Sequence, residues 1–169
     1  APQNAYGRSK LAGETGIADS GGTYAILRTS WVVSAHGSNF VKTMLRLSET
    51  HQALNIVCDQ IGGPTPARDI ALACLQVAKQ LIQDPSKSGT YHFSGAPDVS
   101  WADFACEIFD QARKPAAVTP ITTTNYPTPA RRPLNSRIDC STTLQAFGIE
   151  RPNWMTGLKA ILVDLEVST

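Results

Sequence analysis

Tyr6-Gly-Arg-Ser-Lys10-Leu-Ala-Gly-Glu14 runs through Ile17 into Asp19-Ser-Gly-Gly22, and Thr23-Tyr-Ala-Ile-Leu-Arg-Thr-Ser-Trp-Val-Val33 follows at once. The first string favours a helix, the second ends it with turn residues, and the third is a short apolar run rich in β-formers. Such a run suits a strand buried on both faces of a parallel sheet, and helix, turn, buried strand is the order of an α/β fold.

The pattern continues outward. Ser38 or Asn39 can cap a helix in which Phe40, Val41, Met44, Leu45 and Leu47 form a stripe. Leu54-Asn-Ile-Val-Cys58 reads as a strand and Asp59 to Thr65 as the loop at its C-terminal end, the edge where ligands bind in open α/β sheets. Thr65 as N-cap and Pro66 at the first helical position open a helix through Ile82, apolar nearly all round and therefore expected to be well buried. Thr90 to Ser94 is a third strand. Ser100, Asp103 and the Val99/Phe104 staple make the clearest helix start in the chain. Val118 to Ile121 reads as a strand, Thr122 to Arg132 as a polar loop, Ser141 to Phe147 as a helix stopped by Gly148, and Met155 to Leu165 as a final helix.

The chain has 169 residues, 42% of them hydrophobic, which is enough for one domain or part of one. Its net charge is +1 and 17% of its residues are charged, so a uniform basic field for nucleic acid or an anionic membrane is not expected. No apolar run reaches the roughly 18 residues that span a bilayer, and residues 1 to 20 carry no signal pattern, so a cytoplasmic location is expected. Cys58, Cys74, Cys106 and Cys140 stand far apart without CxxC or metal spacing, and Cys74 and Cys106 are expected as buried free thiols.

Tyr6 and Lys10 lie one helical turn apart on one face, so a phenol and an ammonium can share a site. A free tyrosine, with a pKa of about 10, is a poor proton donor at neutral pH, and a neighbouring ammonium stabilises the phenolate. The pair suits proton transfer to a carbonyl oxygen during hydride transfer. YxxxK alone is weak, because this spacing is common on solvated helices.

Its surroundings are specific. Leu27-Arg-Thr-Ser-Trp-Val-Val33, Ser38-Asn-Phe-Val-Lys-Thr-Met-Leu45, Asp59-Gln-Ile-Gly-Gly-Pro-Thr65, His92-Phe-Ser-Gly95, Trp101-Ala-Asp-Phe104, Arg132-Pro-Leu-Asn-Ser136, Asp139-Cys-Ser141 and Phe147-Gly-Ile149 follow in order. Together with the YxxxK segment they resemble the dTDP-4-dehydrorhamnose reductase family of extended short-chain dehydrogenases/reductases over nearly the whole chain. The resemblance implies the C-terminal portion of an NAD(P)-binding Rossmann-like enzyme. Residues 1–60 would complete the Rossmann-like domain, and 61–169 would form mainly the substrate-binding region, with some elements returning to the sheet.

The implied reaction is reduction of the C4 keto group of dTDP-4-dehydro-6-deoxy-L-mannose by NADPH or NADH, giving dTDP-L-rhamnose. Tyr6 would protonate the carbonyl oxygen, and Lys10 would assist it and bind the nicotinamide ribose. Arg28, Thr29 and Ser30 would pass beside the nicotinamide. Trp31 would pack on the sugar or fill the core, and Asn39, Gln60, Arg132 and Asn135 would contact the nucleotide or diphosphate, where a guanidinium fork suits a diphosphate. For Arg131 and Arg132 an ordinary solvated face is the alternative.

Some family members pair as homodimers with a metal ion such as Mg2+, but no acidic cluster here names ligands. The family's glycine-rich cofactor turn is absent from this sequence, so the chain alone is expected to be inactive, to leave sheet surface uncovered and to self-associate. Val33-Ser34 stands where the family usually has Tyr-Gly. Competing readings are a non-catalytic scaffold similar to the regulatory subunit of methionine adenosyltransferase, and a reductase or epimerase of another nucleotide sugar.

Overall fold

The computed structural model describes residues 2, 4–128 and 132–167. In chain order they form α1 (Ala5–Asp19), β1 (Ala25–Thr29), β2 (Val32–Val33), α2 (Phe40–Ser48), β3 (Ala53–Val57), β4 (Ile61–Gly62), β5 (Thr65–Pro66) and α3 (Ala67–Gln83), followed by β6 (Gly89–Phe93), β7 (Val99–Ser100), α4 (Trp101–Gln111), β8 (Ala117–Ile121), α5 (Ser141–Phe147) and α6 (Trp154–Asp164). Three strand pairs, β1 with β6, β2 with β5 and β3 with β8, are parallel and joined through helices, as parallel pairing requires. The fourth, β4 with β7, is antiparallel. The α/β class follows directly.

Local chemistry sets several boundaries where the sequence places them. Asn39 caps α2 by accepting from the Lys42 amide, and Ser100 caps α4 by accepting from the Asp103 amide at 3.0 Å. Gly148 ends α5 at φ +67, a left-handed conformation that costs glycine little.

Other expectations are corrected. The run from Thr23 to Val33 is two strands, because Trp31 sits at φ +45 and breaks the extended chain. The first of them is not buried on both faces: Arg28 and Thr29 are exposed, and β1 pairs only with β6 among the described strands. Thr65 is no helix cap. Pro66 holds the cap position without a side-chain bond, and the fully buried Thr65 hydroxyl lies 2.7 Å from the Ser30 carbonyl and 2.9 Å from that of Gly63 while accepting from the Gly95 amide. It staples three loops together.

α3 is not buried all round either. Ala73, Val77 and Leu81 face inward, but Leu72, Leu75 and Ile82 are exposed, Ile82 by 82%. Cys74 and Cys106 are likewise at the surface, and Cys140 is the buried thiol; all four cysteines are free.

Apolar packing sorts into two cores. The larger joins Val41, Met44 and Leu45 of α2 to Phe104 and Ile108 of α4 and Leu158 and Leu162 of α6. The smaller joins Ala73 and Val77 to Phe93, Phe147 and Ile149, with Leu27 of β1 against it. Each core draws residues from before and after position 60. Each fully buried Phe, Ile or Leu in the larger core contributes about 1.5–3 kcal/mol.

Candidate functional site

α1 begins at Asn4, whose side chain accepts from the Gly7 amide at 2.8 Å. On its exposed face the Lys10 ammonium stands 5.4 Å from the centroid of the Tyr6 ring. The two expected catalytic side chains are therefore neighbours, and Tyr6 is 71% exposed. One turn on, the Glu14 carboxylate takes the Arg28 guanidinium in a fork, Nε to Oε1 at 2.9 Å and Nη2 to Oε2 at 2.5 Å. Arg28 holds the Glu14 carboxyl below its usual range through these hydrogen bonds, and Glu14 raises Arg28 in return. The fork of Arg28 thus serves to tie α1 to β1. α1 has no buried residue, which makes this tie prominent. Thr29 is exposed, while the Ser30 hydroxyl is buried without a hydrogen-bond partner.

Beyond Ser30 the chain turns through Trp31, whose ring stacks on Trp101 with centroids 3.6 Å apart and planes within 11°. Phe40 closes on Trp101 at 4.5 Å. A Cβ on Gly62 would fall 2.6 Å from the Trp31 ring, so only glycine fits beneath it. The indole of Trp31 therefore packs against protein on two sides.

β4 lies between β7 and the segment around Asn135: the Ile61 amide donates to the Leu134 carbonyl at 2.8 Å, and the Ser136 amide donates to the Ile61 carbonyl at 2.7 Å. This brings Asn135 beside Ile61, next to Gln60 on one side and Gly62 on the other. Gln60 is 8% exposed, and its side chain donates from Nε2 to the Thr123 hydroxyl at 3.1 Å. That hydroxyl donates to Asp59 at 2.6 Å, and the Thr123 amide donates to the same carboxylate. These bonds hold the Asp59 carboxyl below its usual range.

Trp31, Gln60 and Asn135 thus converge on one short strand. Asn39 does not join them through its side chain, which caps α2 and donates to the Ser34 carbonyl at 2.7 Å. Asn135 accepts from the amide and Nε of Arg137, and Arg132 is exposed. Arg131 lies outside the described residues. Sequence reasoning missed Glu14, Trp101 as the stacking partner, and the Asp59/Thr123 pair. Only the Glu14 spacing, one turn after Lys10, offered a local signal.

Among the described residues no group of three His, Cys, Asp or Glu side chains is placed to hold a metal ion, so the Mg2+ expected by resemblance gains no ligands here. No helix among them is long and apolar enough to cross a membrane.

Comparison with known proteins gives consistent results. Residues 1–167 match the RmlD substrate binding domain. The chain is 45% identical over 159 residues to a dTDP-4-dehydrorhamnose reductase of Sinorhizobium fredii, covering 90% of this chain and 54% of that protein. It is 46% identical over 167 residues to one from Aggregatibacter actinomycetemcomitans, covering 95% and 57%. Among solved structures it resembles a dTDP-4-dehydrorhamnose reductase from Clostridium acetobutylicum, with TM-score 0.88, 37% identity and coverage of 98% and 57%. It also resembles one from Bacillus anthracis in complex with NADP, with TM-score 0.86, 36% identity and coverage of 97% and 57%. The chain therefore spans little more than half the length of these relatives.

Proposed function

The chain belongs to the RmlD substrate-binding domain family, and from that premise we propose that it is the sugar-nucleotide-binding part of an NADPH- or NADH-dependent reductase that converts dTDP-4-dehydro-6-deoxy-L-mannose to dTDP-L-rhamnose. The observation that carries this reading is the convergence of the Trp31/Trp101 stack, Gln60 and Asn135 on β4, a polar and aromatic shelf following the strand that leaves Arg28. The stacked indoles offer an apolar edge to a sugar, and exposed Arg132 offers a fork to a diphosphate.

In this reading the nicotinamide cofactor, when bound, supplies the hydride to C4. Tyr6 gives its phenolic proton to the C4 oxygen, and the Lys10 ammonium, 5.4 Å from the ring centroid, stands beside it to bind the nicotinamide ribose. The residues fit the nicotinamide end of such a cofactor: the Tyr6 and Lys10 side chains are exposed and make no hydrogen bond with the described residues, and the buried Ser30 hydroxyl has a hydrogen bond unmade. Arg28 does not fit that role while Glu14 occupies it. The Tyr6–Lys10 pair also favours an enzyme over a non-catalytic scaffold.

The test is calorimetric titration of the chain with dTDP-L-rhamnose, with NADPH as contrast and Trp31→Ala as control. Saturable sugar-nucleotide binding that Trp31→Ala abolishes, without matching NADPH binding, is expected. A folded chain that binds no sugar nucleotide contradicts the proposal.

A further inference from the structure

Tyr6, Lys10 and Glu14 recur every four residues and so lie along one face of α1, with Lys10 between a ring on one side and a carboxylate on the other. Side chains on a helix lean toward its N-terminus, which tips Glu14 back toward Lys10. An ammonium and a carboxylate at this spacing are natural partners. The structure does not pair them. Lys10 stands over the Tyr6 ring, and Glu14 forms its ion pair with Arg28 instead.

Arg28 occupies both carboxylate oxygens: Nε donates to Oε1 at 2.9 Å and to Oε2 at 3.2 Å, and Nη2 donates to Oε2 at 2.5 Å. A planar guanidinium fork holds a carboxylate better than one flexible ammonium does, because two parallel bonds form from a single rigid group. Lys10, Glu14 and Arg28 line one hollow of about 360 Å³, so the lysine borders the pair it does not join. His92, opposite Arg28 on β6, bears on Glu14 more weakly and forms no ion pair with it.

We infer that Arg28 is a positioning residue that withdraws the Glu14 carboxylate from Lys10, leaving the Lys10 ammonium beside Tyr6 and open to a cofactor hydroxyl. This rests on the reading of Tyr6 and Lys10 given above, and it assigns Arg28 to the lysine rather than to the cofactor.

The test is an NMR measurement on the chain without ligand. Protons of the Lys10 side chain held over the Tyr6 ring are shifted upfield by the ring current, and Tyr6→Leu, which removes the ring, sets the zero of that shift. Wild type and Glu14→Gln should show the full shift. Arg28→Gln frees Glu14 for Lys10, and because an ion pair of this spacing is weak, the shift should fall to about half. Combining Arg28→Gln with Glu14→Gln also removes the fork but leaves no carboxylate to draw Lys10 away, so the shift should return. An Arg28→Gln chain that keeps the full shift overturns the inference, as does a wild-type shift no different from that of Tyr6→Leu. A double variant that stays as low as Arg28→Gln also overturns it, since the fork would then act by holding α1 and not through charge; loss in Glu14→Gln alone overturns it for the same reason. No ligand enters these spectra, so failure of the sugar-nucleotide titration contradicts the proposed function and leaves this result standing.

Discussion

Helix α1 and the shelf around β4 carry the two halves of the proposed chemistry and are held in opposite ways. α1 brings Tyr6 and Lys10 together but buries none of its residues, and its forked ion pair from Glu14 to Arg28 lies at the surface. The shelf is built into the larger core: Trp101 stacks on Trp31, Phe40 closes on Trp101, and Phe104 packs between Phe40 and Trp154 with no exposure at all. Binding geometry is thus set by dense packing and proton-transfer geometry by a few polar ties. Stability should be lowest where few apolar contacts hold the backbone, which places α1 below the shelf.

Four substitutions sharpen or break this contrast. Phe104→Ala removes the fully buried ring beneath the shelf and should cost about 3–5 kcal/mol in urea unfolding. Gly62→Ala drives a Cβ into the Trp31 ring, with an expected cost of about 1–3 kcal/mol and a loss of the near-ultraviolet circular dichroism of the stacked indoles. Ser100→Ala uncaps α4, the helix that supplies Trp101, and should cost about 1 kcal/mol by the same unfolding measurement. Glu14→Gln should change global stability by only about 0.2–1 kcal/mol, as for an exposed pair, while α1 amides exchange faster. If Glu14→Gln destabilises the whole chain as much as Phe104→Ala, the contrast fails.

The same pair gives the contrast a pH signature. Arg28 holds the folded Glu14 carboxyl below its unfolded value, so its contribution is complete above an unfolded pKa of about 4.3 and is lost as pH falls through the lower folded value. Acidification below about pH 4 should loosen α1, and Glu14→Gln should remove that dependence. Hydrogen exchange along α1 at several pH values measures both.

What could be read in the sequence was whatever is decided within a few residues. The Ser100 cap with Asp103, the Gly148 stop and the Tyr6–Lys10 spacing are such cases, and each is where it was expected. Whether an apolar helix face is covered depends on what packs there, so α3 gave no warning that Leu75 and Ile82 are exposed. The break at Trp31 answers to Thr65 and Gly62, which the chain brings back only after an intervening helix and strand. Gln60 and Thr123 stand 63 residues apart, and Thr122 to Thr124 reads as an ordinary polar loop until folding sets it beside Asp59.

Hydrogen exchange of the chain with and without dTDP-L-rhamnose compares the two regions directly. Protection gained at residues 60–62 and 134–136, with α1 unchanged, is the predicted result. Protection gained along α1 alone, or none in either region of a folded chain, would contradict it.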